Sequence, residues 1–246
     1  MHASLTTSWD DGDPLDLRVA DLLAKHHLQG TFYVPLEPVR GRRLTTAQLR
    51  ELGSHYEVGS HTVHEVRLTT LDDQTARREV HDSKIMLEDI LQRPVEMFCP
   101  VAGRFGPRDL RLIQEAGYLG LRTVELLSTD RPLRHGQIEI LATSIQAYPH
   151  SPIGYIRNLA KRGRYTRVAS SAVFLHDDWT RLAFRLLERA VQQGGVFHLW
   201  GHSWEIEERQ QWQALDDVLG LMADYRGTAD PVRNSQLCGR SARQAA

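Results

Sequence analysis

The sequence predicts an α/β fold, a distorted (β/α)7-type barrel, on three observations. Short apolar runs bounded by turn residues alternate with amphipathic stretches, the pattern of βα units around a largely parallel sheet. About seven such units follow one another, each strand trailed by a layer able to cover it, which favours a barrel over an open sheet. A chain of 246 residues that is 41% hydrophobic and 25% charged carries enough apolar material for one core of that size.

The elements follow in order. Residues 5–9 read as the first strand. Asp13 and Pro14 then supply an N-cap and a first-turn proline for a helix whose Leu15, Val19, Leu22 and Leu23 share a face. Strand is predicted at 30–34, a short helix at 46–52 and a third strand at 56–60. Val80, Ser83, Leu87, Ile90 and Leu91 mark the apolar face of a long helix over 72–91, closed off before Pro94. Residues 95–99 return as strand, 108–116 as helix ending at Gly117, and 119–124 as strand. Between 125 and 168 the pattern weakens to a strand at 138–142 and a short helix at 153–159. Helix 178–193, strand 196–200 and a final helix 207–225 complete the barrel, so residues 1–227 form one domain. After Gly227 the composition turns polar and small, and residues 228–246 are expected to be a disordered tail.

Composition removes several functions. The formal net charge is −1, which leaves no electrostatic excess to hold nucleic acid or an anionic membrane. No stretch reaches the length of a membrane span, and the opening residues have no basic region followed by an apolar secretory segment, so a cytoplasmic location is expected. Cys99 and Cys238 lack paired or metal-type spacing and are expected to be free thiols.

Three polar clusters sit just past predicted strands, where βα barrels place their sites. In Ser8-Trp9-Asp10-Asp11-Gly12 the adjacent carboxylates repel, so one of them needs a cation or strong donor, and the glycine permits a tight turn. Asp10-Asp11-Gly12 also suits a solvated turn capping the next helix. In Gly59-Ser60-His61-Thr62-Val63-His64-Glu65, helical spacing lets His61 share one ion with either His64 or Glu65. Such a pair on its own is as often a surface or hydrogen-bonded pair. Joined to an aspartate of the first cluster, it would make the open three-ligand site of a catalytic metal. In the third cluster, Val196 to Glu205, His198 and His202 fall on one side of a strand. His202 emerges at its end as the candidate acid, with His198 a packed neighbour. Trp200 and Trp204 either wall a sugar site or pack the core.

These clusters, in this order, resemble the motifs of the polysaccharide deacetylase (NodB-homology) family from Leu5 to about Leu219. Thr7 to Gly12 is similar to the family's first motif, T-F-D-D-G, which implies Asp10 as general base and Asp11 as metal ligand. Gly59-Ser60-His61-Thr62 is similar to the second, H-[ST]-x-x-H, but Glu65 stands at the second histidine's place and His64 one step earlier. Phe98-Cys99-Pro100 through Gly103-Arg104-Phe105 is similar to the third, a wall of the groove. There Cys99 replaces the usual arginine that holds the base, and Arg104 either takes over that role beside the substrate or is a surface arginine. The last motif implies His202 as general acid.

The resemblance thus implies a divalent metal, Zn²⁺ first, on Asp11, His61 and either Glu65 or His64, and hydrolysis of an N-acetyl group from a small-molecule or oligosaccharide substrate. With no secretory signal, a cytoplasmic sugar intermediate of glycan assembly is the expected substrate. The competing readings are an amidohydrolase acting on a non-sugar amide or imide, and a non-catalytic carbohydrate binder whose metal site Glu65 has altered.

Overall fold

The computed structural model describes residues 2–150 and 178–239. At its centre lies β1 (Ala3–Asp10), every residue of which is buried, as expected of a strand with helices outside it and a packed interior within. The chain continues through α1 (Asp16–Lys25), β2 (Thr31–Val34), α2 (Thr46–His55), β3 (Glu57–Ser60), α3 (Asp73–Leu91), β4 (Met97–Phe98), α4 (Pro107–Glu115) and β5 (Gly120–Arg122). Then come β6 (Leu133–His135), β7 (Ile138–Leu141), β8 (Ile145–Gln146), α5 (Trp179–Gln193), β9 (Val196–Gly201), α6 (Ser203–Glu208), α7 (Trp212–Asp224) and β10 (Ala229–Pro231).

The sheet runs β6-β7-β5-β4-β3-β2-β1-β9-β8, parallel throughout except for the edge strand β6. β10 lies parallel beside the first residues of β1, and β2 takes up the pairing along its second half. The two ends of the sheet are joined by irregular backbone. Thr143 N–H donates to Glu125 O at 2.8 Å, Leu127 N–H to Ser144 O at 2.8 Å and Ser144 N–H to His198 O at 2.9 Å. The result is the distorted α/β barrel that the alternating pattern predicts. Gly59 is required in its wall, because a Cβ there would meet the Tyr33 ring at 2.6 Å.

Several predicted bounds move. The final helix is two, α6 and α7, broken where Gln210 turns left-handed (φ 55). Strands β6, β8 and β10 are additions, and the helix predicted at 153–159 lies outside the described residues. No helix among the described residues is long and apolar enough to cross a membrane. Cys99 and Cys238 are both free.

Residues 228–239, expected to be disordered, instead close the lower end of the barrel. Val232 and Leu237 pack with Tyr33, Met97, Cys99, Leu141 and Val196. Buried Asn234 accepts from Thr6 Oγ1 (2.9 Å) and donates through Nδ2 to the Tyr33 hydroxyl (2.9 Å). Ser235 N–H donates to Glu57 Oε2 at 3.1 Å. The polar composition that suggested disorder is what the polar groups at this end of the barrel need as partners. Asn234→Ala leaves the Thr6 and Tyr33 hydroxyls buried without it and is expected to cost about 1–3 kcal/mol, measured as a lower urea midpoint at unchanged m-value.

Candidate active site

The site is assembled at the C-terminal ends of β1, β3, β5 and β9. As β1 ends at Asp10, the chain turns sharply through Asp11 (φ 80) and Gly12 (φ 62), both left-handed. Glycine adopts that conformation freely, whereas an aspartate there costs about 1–3 kcal/mol. The turn brings both carboxylates inside, Asp10 at 2% and Asp11 at 8% exposure.

Asp10 is ion-paired with Arg122, which reaches across the barrel from the end of β5 and is fully buried. The guanidinium also lies 4.9 Å from the ring centres of both Tyr33 and Trp200. Burial alone would raise the Asp10 carboxyl, but Arg122, with His61 and His202, outweighs it and holds the group below its ordinary value. It is Arg122, not Arg104, that holds Asp10. Arg104 is an exposed residue of the turn after β4. The sequence signal for Arg122 was a lone charge inside the apolar strand Leu119 to Val124, since an arginine is almost never fully buried without a partner.

His61 follows β3 and donates from Nδ1 to Cys99 O at 2.8 Å. In the neutral ring that bond leaves the Nε2 lone pair facing Asp11 Oδ1, 3.7 Å away. The helical face invoked for His61, His64 and Glu65 does not exist. Residues 61–67 are irregular backbone with a bend at 63–65, and Thr62 (φ 69) and Glu65 (φ 52) are left-handed.

These turns send the two candidate ligands apart. His64 is taken by α3, where Glu79 accepts from the His64 ring at 2.6 Å and from the backbone N–H of Val63 (2.9 Å) and His64 (3.1 Å). Glu65 faces the site, with one oxygen accepting from Val39 N–H at 2.8 Å. Burial, and next the Asp11 carboxylate, raise its pKa, while Val39 N–H, His61 and His202 act the other way.

His202 emerges directly after β9 with Nε2 3.9 Å from Asp11 Oδ2 and Nδ1 2.6 Å from Glu205 Oε2. Burial disfavours its cation, but the Glu205 hydrogen bond and the charges of Asp11 and Asp10 prevail and push its pKa up to about 9. Glu205, which the sequence reading passed over, is itself held by Gln146 Nε2 at 2.8 Å. His198 is the packed neighbour that the strand spacing suggested. It sits between Ser8 Oγ (2.9 Å) and Ala142 O (3.2 Å), and burial depresses its pKa to about 3.

The two tryptophans differ. Trp200, 5% exposed, presents its ring to Arg122 in the interior and offers little surface for a sugar. Trp204 is half-buried and donates its indole N–H to Asp11 Oδ2 at 2.9 Å.

Of these donors, Asp11 and His61 stand at a separation that suits a divalent cation, about that of two ligands of one ion with bonds of about 2.0–2.2 Å. The repulsion between Asp11 and Glu65 is what a cation between them relieves. Among the described residues, the grouping whose ligand atoms all lie within 4.8 Å of one another is Asp10, His61 and Cys99. It suits an ion less well, because Arg122 already neutralises Asp10 and burial holds the Cys99 thiol well above its ordinary value.

Both the sequence and the fold have counterparts among known proteins. The sequence profile described as Polysaccharide deacetylase matches residues 2–124. A Mycobacterium smegmatis protein provisionally assigned as a polysaccharide deacetylase has a similar structure, with a TM-score of 0.70 at 14% identity over 100% of this chain and 92% of that one. Puue allantoinase gives 0.70 at 12% identity over 95% and 87%. The wild-type BA3943 of Bacillus anthracis, a CE4 family pseudoenzyme, gives 0.57 at 14% identity over 96% and 65%. No protein in the curated comparison matches the sequence.

Proposed function

Because the chain belongs to the polysaccharide deacetylase family, whose profile spans its first half, we propose that it is a metal-dependent hydrolase removing an N-acetyl group from a carbohydrate. The observation that carries this is that Asp10, ion-paired with Arg122, and His202, hydrogen-bonded to Glu205, both stand beside the Asp11–His61 pair. Amide hydrolysis needs one group to take a proton and another to give one, and pKa values pushed apart by their surroundings mark that division.

Asp11, His61 and Glu65 would hold the cation, Zn²⁺ first among the candidates. When bound it would supply Lewis-acid polarisation of the acyl oxygen and a more acidic water. Asp10, kept anionic by Arg122, accepts the proton from the attacking water. His202 donates its proton to the departing amine, and Glu205 keeps the ring oriented and charged until then. A cytoplasmic sugar intermediate is the proposed substrate class.

A second reading has support from the equal TM-score of Puue allantoinase, namely hydrolysis of a non-sugar amide or imide on the same residues. A non-catalytic binder is disfavoured, since it has no use for Asp10, Asp11, His61 and His202 together. The test is acetate release from a panel of N-acetylated sugars, measured beside a panel of simple amides and cyclic imides. Expected are release from the sugars, its loss after chelation and its return on adding Zn²⁺. Turnover of amides or imides alone would favour the second reading, and sugar binding without turnover by metal-loaded protein would favour the third.

A further inference from the structure

His202, Ser203 and Trp204, at the start of α6, each make a side-chain hydrogen bond to an acidic residue. His202 takes Glu205 on Nδ1, Ser203 Oγ donates to buried Asp16 Oδ1 at 2.6 Å, and Trp204 Nε1 donates to Asp11 Oδ2 at 2.9 Å. The Trp204 bond stands out because it lands on the carboxylate oxygen that does not face His61. Asp11 is thereby held on both sides: its backbone N–H donates to Tyr33 O at 3.1 Å and its outer oxygen is taken by the indole. Only Oδ1 is turned to the His61 lone pair.

One face of the Trp204 ring is already covered. The Arg40 guanidinium lies 3.7 Å over its centroid and is anchored in turn by Glu208 at 2.9 Å. A cation over the π cloud draws electron density from the ring, which makes the indole N–H a stronger donor. The same rim segment supplies the Val39 N–H that holds Glu65. Two of the three candidate ligands are thus braced from one loop, one directly and one through Trp204.

We propose that Trp204 is a positioning residue which fixes the Asp11 carboxylate for cation binding through its indole N–H, and is not a platform on which substrate stacks. The inference rests on the assignment of Asp11 as a metal ligand. Hydrogen bonds to coordinating groups typically change metal affinity by about 10- to 100-fold when removed. Trp204→Phe keeps an aromatic ring beneath Arg40 and deletes only the donor, so its Zn²⁺ affinity is expected to fall by about that factor. Arg40→Gln, which keeps the donor and removes the charge above it, is expected to fall by less.

Zn²⁺ affinity would be measured for the full chain by competition with a chelating dye, with circular dichroism and thermal melting as controls for folding. Replacing Trp204 by benzothienylalanine, which exchanges the indole N–H for sulfur at nearly constant shape, should reproduce the Trp204→Phe loss. Equal Zn²⁺ affinity in wild type and in both replacements would overturn the positioning role while leaving the metal site standing. Absence of Zn²⁺ binding by the wild type would overturn the ligand assignment and this inference together.

Discussion

Arg122→Met is expected to abolish turnover and to destabilise the protein by about 3–5 kcal/mol, the usual cost of stranding one partner of a buried ion pair. The cause is the environment of Asp10, which is buried and stays anionic because the guanidinium offsets its desolvation. Without Arg122 the desolvation cost stands alone, the carboxyl pKa rises, and the group meets water already carrying the proton it should accept. Loss of a positioned base typically costs about 10²- to 10⁴-fold in rate.

The double variant Asp10→Asn with Arg122→Met separates the two effects. It removes both charges together, so its urea stability should return to within about 1–2 kcal/mol of wild type while activity stays absent. A double variant as unstable as the single one would show that Arg122 matters for packing against Tyr33 and Trp200 and not for the charge of Asp10.

His202→Gln is expected to lower kcat on the N-acetyl substrate by about 10²- to 10⁴-fold and to lower the melting temperature near neutral pH, since the cation that Glu205, Asp11 and Asp10 stabilise in the folded protein is lost with it. The diagnostic comparison is the leaving group. An amine departs only with a proton, whereas 4-nitrophenolate departs without one, so hydrolysis of a 4-nitrophenyl acetate should largely escape the loss. Glu205→Gln keeps the His202 ring in place but weakens its hold on the proton, and a smaller loss with the same leaving-group dependence is expected. An equal defect on amide and aryl ester would remove the general-acid role.

Much of this was legible in the primary structure, and the exceptions share a cause. Strand ends could be read because β1, β3 and β9 each stop at a cluster of polar residues, which put Asp10, Asp11, His61 and His202 at one rim. Arg122 was missed because its partner lies 112 positions away, a distance over which spacing carries no information. The choice between His64 and Glu65 was equally hidden, because it is made by Glu79 on α3 and by left-handed turns at Thr62 and Glu65. Local sequence reports which groups stand at a strand end. It does not report which distant helix will draw one of them away. The same limit explains the closing segment, where Asn234 looked like tail composition until Thr6 and Tyr33 appeared as its partners.

The pairing of β1 has a consequence for how the molecule comes into being. This strand is made first, yet its partners β9 and β10 are among the last described parts of the chain. At about 5–20 residues per second, roughly 10–40 s separate its synthesis from theirs. Throughout that time the edge of β1 that β9 will cover waits open, able to pair with a neighbouring nascent chain. Closure of the barrel therefore waits on slow, non-local pairing, and the vulnerable interval is set by the pace of the ribosome rather than by the strength of the finished core.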